Sequence, residues 1–243
     1  MDAEIAALDA RVVSEFGRRL RAWYRRTARD LPWRRTRDAY RILVSELMLQ
    51  QTQVSRVVPK YHQFLRTFPS LASVARAEPA HVLEAWSGLG YYARARNLHK
   101  LARALTADGT RARVKLPSEP HSLRALPGIG AYTAGAVASF AYEVRAPLVD
   151  TNVARVLSRV FAPTLSPKRP RDLKRIWEIA GRSLPRTGSA TWTHNQALME
   201  LGALVCTARI AHCSRCPVTR VCATAASTRE QLTPPHRVSP QRR

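Results

Sequence analysis

Long apolar runs are missing from this 243-residue sequence. The best candidate, Ala131 to Tyr142, is broken by Thr133, Gly135 and Ser139 and falls short of the roughly 18–20 residues that cross a bilayer, so no membrane partner is expected. Strand-like alternation is missing as well: apolar and polar residues nowhere alternate for more than a few positions, which argues for an all-α protein. There is no internal repeat. Acidic residues are few, 17 against 40 Lys and Arg, giving a formal net charge of +23. A soluble metabolic enzyme needs no such excess, and a polyanion, nucleic acid first, is the natural partner. Lysine is itself rare, with only Lys60, Lys100, Lys115, Lys168 and Lys174 among the basic residues, so codon bias accounts for part of the arginine excess. The opening Met1-Asp2-Ala3-Glu4 carries neither the basic nor the apolar segment of a secretory signal, which predicts a cytoplasmic, nucleoid-associated protein with reduced thiols.

What is present reads as helix. Its length is enough for one large or two small domains, and a hydrophobic content of 45% is ordinary for a globular protein. Periodicity predicts helices over about 9–26, 40–53, 55–68, 70–77, 79–87 and 92–107, then 118–126, 131–140, 151–161, 171–183 and 192–206. Leu31-Pro32, Phe68-Pro69, Glu78-Pro79, Gly88-Leu89-Gly90 and Asp108-Gly109 punctuate the first set. Residues 227–243 are rich in Pro, Arg and Gln with few apolar side chains, the composition of a disordered basic tail.

Cysteine is limited to four residues, Cys206, Cys213, Cys216 and Cys222, all within one 17-residue window with the spacing C-x6-C-x2-C-x5-C. Four thiols with none left over suit a closed metal or cluster site. Structural zinc favours two short pairs, whereas here one tight pair is flanked by longer spacings, and a [4Fe-4S] cluster fits better; two disulfides are the plainer alternative. Leu126-Pro127-Gly128-Ile129-Gly130 lies between two helical patterns. Its glycines, Gly128 and Gly130, permit a tight turn, and the helix that follows offers unpaired N–H groups to a phosphate, although glycines between helices are often mere connectors. Two carboxylates stand out. Glu46 shares a helix stripe with Ile42, Leu49 and Gln53, where desolvation would raise its pKa and suit it to general acid chemistry; the alternative is a surface glutamate. Asp150 precedes the helix starting at Thr151, as an N-cap whose ionised state suits the stabilisation of a cation.

Five motifs occur in one order: Glu46 to Val54, Trp86-Ser87-Gly88-Leu89-Gly90-Tyr91-Tyr92-Ala93-Arg94-Ala95-Arg96-Asn97-Leu98-His99-Lys100, the hairpin, Val149-Asp150-Thr151-Asn152-Val153, and the cysteine loop. With Leu31-Pro32-Trp33, they resemble MutY-type adenine DNA glycosylases of the helix-hairpin-helix, endonuclease III-like superfamily, over about residues 20–225. The resemblance implies an all-α fold of two helical domains with a cleft between them: a six-helix barrel with the hairpin at 31–141, and a second domain of 1–30 plus 142–226 holding the iron–sulfur cluster on the four cysteines. It implies a monofunctional, hydrolytic enzyme of base excision repair that flips adenine, mispaired with 8-oxoguanine or guanine, out of double-stranded DNA and acts as a monomer. Glu46 would protonate the leaving base and Asp150 stabilise an oxocarbenium-like sugar, the two-carboxylate logic of glycoside hydrolysis. Tyr132 and Asn152 would position them. Trp33 and Glu200 would line the base pocket, Gln51 and Tyr91 would fill the vacated stack, and Thr52 and Leu89 would lie near the opposite base. For Trp33 and Tyr91 the plain alternative is core packing, and for Glu200 an ordinary helix position.

Two departures from the family pattern stand out: Thr151 where the family has glycine between the Asp and the Asn, and the expected lack of a further C-terminal domain, related to the NUDIX fold, that recognises 8-oxoguanine. Rival readings are a thymine or uracil mismatch enzyme, an oxidised-pyrimidine enzyme of the same fold, and a non-catalytic iron–sulfur DNA-binding regulator. The oxidised-pyrimidine enzymes need a lysine where Tyr132 aligns, and a regulator has no need of both Glu46 and Asp150.

Overall fold

The computed structural model describes residues 8–106 and 115–232, the last five of these by backbone alone. The fold is all-helical; among the described residues the only β-type pairing is an isolated bridge between Cys206 and Ala211. The helices are α1 (Ala10–Thr27), α2 (Ala39–Leu49), α3 (Val54–Thr67), α4 (Leu71–Arg76), α5 (Pro79–Ala85), α6 (Ala93–Thr106), α7 (Pro120–Arg124), α8 (Ala131–Tyr142), α9 (Thr151–Phe161), α10 (Pro170–Ser183), α11 (Gly188–Leu204) and α12 (Ala223–Leu232), with 3-10 turns at Pro32–Arg35, Cys213–Arg215 and Thr219–Val221. No helix among the described residues is long and apolar enough to cross a membrane.

The chain divides into two compact units, one of Thr27–Asp150 with Leu184–Gln196, the other of the N-terminal segment to Arg26, Thr151–Ser183 and the chain from Ala197 onward. In the first, α2 and α8 form the centre. Every residue from Ile42 to Met48 and from Thr133 to Phe140 is buried, and the two helices pack on each other. Gly135 makes a close approach possible: a Cβ there would stand 2.1 Å from the carbonyl oxygen of Pro147, so only glycine lets the segment leading to Asp150 run against α8. Leu184–Gln196 joins this unit because Asn195 donates to Ser139 Oγ (3.0 Å) and to the Ala146 carbonyl (2.9 Å), while Trp192 meets Phe140 edge-on and lies under Arg37.

In the second unit, Phe16, Leu20 and Tyr24 mark the buried stripe of α1, with Phe16 edge-on to Phe161 at 4.9 Å. The matching stripe of α9 is Val153, Val156, Leu157 and Val160, the spacing of one helix face. Several boundaries differ from expectation; the helix predicted over 192–206, for example, is Gly188–Leu204. α2 stops at Leu49 rather than running to Gln53, and α12 continues to Leu232, so 227–232, expected to be disordered, are helical. The strong helix formers Ala, Arg, Glu, Gln and Leu in Ala223–Leu232 account for that extension. Residues 233–243 of the expected tail and the Asp108-Gly109 break lie outside the described residues.

Candidate active site

Glu46 sits on the central helix α2 and is 3% exposed. Tyr132, in the first turn of α8, donates its hydroxyl to Glu46 Oε2 at 2.7 Å. Burial pushes the Glu46 carboxyl up to about 7; the Asp150 charge adds to that rise, while the Tyr132 hydrogen bond and the Arg34 guanidinium oppose it. The side chain is therefore no surface glutamate, and it holds a proton across much of the neutral range. The helical stripe expected for it is shorter than the sequence suggests, because Gln53 lies beyond the end of α2, at the N-cap of α3.

Arg34 was not singled out by the sequence, although it follows Leu31-Pro32-Trp33 directly. Its Nε donates to Gln196 Oε1 and its Nη1 to the Arg29 carbonyl, both at 2.9 Å, and those bonds hold its charge where Glu46 feels it. Trp33 is buried, edge-on to Tyr61 at 5.5 Å between centroids. Asp150 is half-buried, one residue before α9 begins.

The hairpin depends on one of its two glycines. Gly128 has φ +76°, and a Cβ there would fall 2.5 Å from Asn97 Cβ, so conformation and space both demand glycine. Gly130, expected to serve the turn in the same way, has φ −84° and ψ 175°, an extended geometry open to any residue. It is the N-cap of α8, it makes no side-chain cap bond, and a Cβ on it would meet nothing within 4 Å.

Two turns carry the residues expected to meet the DNA stack. Gln51 (φ +55°) and Tyr91 (φ +47°) are both in the left-handed region, and Tyr91 is 60% exposed. Tyr91 is thus not a core aromatic. Leu89 is buried, and what it presents is its carbonyl, which accepts from Thr52 Oγ1 (3.4 Å) and from Arg94.

In the second unit Glu200 is fully buried, more than an ordinary helix position, and Asn152 accepts from Arg155 Nη2 at 2.7 Å. Asn152 packs so tightly on Gly202 that a Cβ at 202 would stand 2.7 Å from its own. The four cysteines, none in a disulfide, all line one cavity of about 250 Å³. Two arginines of α9 brace their loop: Arg155 donates to the Cys206 and Gly202 carbonyls, and Arg159 to Cys206 Sγ (3.3 Å) and the Thr207 carbonyl (2.8 Å). Burial pushes the Cys216 thiol up to about 11 and raises that of Cys222. Among the described residues no three His, Cys, Asp or Glu side chains are gathered closely enough to hold a metal ion.

A buried carboxyl with a raised pKa beside a second carboxylate, a helix-hairpin-helix and a basic chain define a class, and the family comparison agrees. Residues 44–180 match the HhH-GPD superfamily of base excision DNA repair proteins, and the chain belongs to that family. Within it, the sequence is similar to adenine DNA glycosylases: 46% identical over 201 residues to that of Mycolicibacterium smegmatis, covering 82% of this chain and 66% of the relative, and 40% identical over 223 residues to that of Homo sapiens, covering 88% and 40%. The chain thus spans two thirds or less of the length of these relatives. Among solved structures, a thermostable thymine-DNA glycosylase superposes with a TM-score of 0.80 at 27% identity, over 89% of this chain and 98% of that one.

Proposed function

We propose that the protein is a monofunctional DNA glycosylase that removes adenine mispaired with 8-oxoguanine or guanine from double-stranded DNA. The observation that carries this reading is the buried, Tyr132-bound Glu46, whose carboxyl is pushed up to about 7 beside Asp150. Excision of a purine needs a proton on the leaving base and a negative charge to favour the sugar cation, and two carboxyl groups in different surroundings can divide that work. Glu46 delivers the proton, Tyr132 holds its carboxyl in place, and Asp150 faces the developing positive charge. A water then completes the hydrolysis. Tyr132 offers no amine with which to form a Schiff base, which supports hydrolysis without strand cleavage. Trp33 would line the base pocket, Gln51, Thr52, Leu89 and Tyr91 would meet the disturbed stack, and the hairpin at Gly128 and Gly130 would bring the start of α8 to a backbone phosphate.

The decisive measurement is single-turnover excision on duplexes pairing A, T or U with G, 8-oxoguanine or C. Adenine release opposite 8-oxoguanine and guanine, with T and U left intact, is the expected result. Release of T or U instead would place the chain with the thymine-DNA glycosylase it superposes on.

Cys206, Cys213, Cys216 and Cys222 would hold a [4Fe-4S] cluster. The fit rests on the donor set and its space: four thiols with no spare, all lining one cavity of about 250 Å³. When bound, the cluster supplies iron–thiolate bonds that fix the loop's shape. Arg155 and Arg159 already brace that loop from α9, the helix that Asp150 precedes. Protein purified without oxygen should be yellow-brown, with about four irons and four acid-labile sulfides per chain. Colourless, folded protein with one zinc per chain would overturn the assignment.

A further inference from the structure

Arg94 is only 7% exposed, and buried guanidinium groups are rare unless they are fully engaged. Its partners are backbone carbonyls rather than a carboxylate. Nη1 donates to the carbonyls of Leu47 (2.8 Å), Met48 (2.9 Å) and Gln50 (2.6 Å), at the end of α2. Nη2 donates to the carbonyls of Leu89 (3.1 Å) and Gly90 (2.9 Å) and to Thr52 Oγ1 (3.3 Å), and Nε lies 3.4 Å from the Tyr91 carbonyl. One planar group thus bonds to both turns. Its Cζ also lies 5.4 Å from the Tyr91 ring centroid and 5.8 Å from that of Trp86.

Each turn carries a left-handed non-glycine residue, Gln51 in one and Tyr91 in the other, and Tyr91 is flanked by left-handed Gly90. Such conformations persist only where the surroundings over-determine them. The surroundings here are the Arg94 fan, with Thr52 Oγ1 adding a second link through the Leu89 carbonyl. Lysine cannot replace this arrangement, since three donors on a compact ammonium do not reach two opposed sets of carbonyls as a planar fork does.

We propose that Arg94 is a positioning residue that locks the Gln51 and Tyr91 turns together, so that the two enter a base stack as one rigid wedge. The idea rests on the glycosylase reading above. It makes Arg94 necessary for opening a paired duplex and unnecessary for bond cleavage once the base is already unpaired.

The test compares single-turnover excision of adenine from a paired duplex, opposite 8-oxoguanine, with excision of the same adenine from an unpaired bulge. Arg94→Lys is expected to slow the duplex reaction by roughly 100-fold, the scale of an ångström-sized misplacement, while the bulge reaction stays within a few-fold of wild type. Equal slowing on both substrates would mean a general loss of structure and would overturn the proposal, as would no slowing on the duplex. Should Arg94→Lys not fold, Gly90→Ala provides the same comparison. Its methyl meets nothing within 4 Å, yet φ +70° is unfavourable to alanine, so it loosens the clamped turn without touching the core. A duplex-to-bulge ratio unchanged from wild type in that variant also overturns the proposal. Wild-type protein inactive on both substrates would refute the glycosylase reading instead, a distinguishable result.

Discussion

Glu46→Gln is expected to lower single-turnover adenine excision by about 100- to 10,000-fold, the usual worth of a general acid, while leaving duplex affinity close to wild type. Glutamine keeps the shape and accepts the Tyr132 hydroxyl as the carboxylate oxygen does, so the packing of α2 on α8 should stay intact. Only the transferable proton is lost. The same assignment fixes the pH dependence of the wild-type enzyme. Glu46 must be protonated to act, and its carboxyl is pushed up to about 7, so the rate should be flat below that pH and fall about tenfold per unit above it. Stability follows the same group. Its pKa is raised on folding, so the native state holds a proton that the unfolded chain releases from near pH 4.5 upward, and the favourable contribution present at low pH disappears as pH rises through 7. Chemical denaturation at pH 8 should therefore find Glu46→Gln at least as stable as wild type. A variant that is inactive and also clearly less stable at pH 8 would point to a structural role for the carboxylate.

The residues legible in the sequence are those whose chemistry is local. The cysteine spacing, the glycine of the hairpin turn at 128 and a carboxylate set in an apolar helical pattern can each be read from a few neighbouring positions, even though the partners of Gly128 and Glu46 cannot. What escaped depends on partners far along the chain. Periodicity, with Gln53 on the Glu46 stripe, predicts that α2 continues to Gln53. It ends at Leu49 because Arg94, more than forty positions downstream, takes up its terminal carbonyls and allows Gln51 a left-handed turn. Arg34 affects Glu46 through a position fixed by Gln196, and Gly135 is required by a carbonyl at Pro147. Leu184–Gln196, expected beside the cysteines, packs on Ser139, Phe140 and Ala146 through Asn195 and Trp192, contacts that no local pattern encodes. Gly130 erred the other way: it looks like a turn glycine, and its contribution is the open space at a helix start.

Asp150→Asn should slow excision by about 100- to 1,000-fold, the cost of removing one preorganised group that faces charge developing in a transition state. Asparagine is as good an N-cap as aspartate, so α9 should begin where it does now and a folding defect is not expected. The second effect of this substitution separates electrostatics from mere contact. The Asp150 charge helps to raise the Glu46 pKa, and neutralising it makes Glu46 easier to ionise. The alkaline limb of the rate profile should then move to lower pH, so the deficit relative to wild type grows from pH 6 to pH 8 and stops growing once both enzymes are on their falling limbs. Single-turnover rates at several pH values on one adenine–8-oxoguanine duplex measure both quantities at once. A slow variant with an unmoved limb would leave Asp150 as a stabiliser of the sugar alone; a near-wild-type rate would remove it from the chemistry and leave burial as what keeps the proton on Glu46.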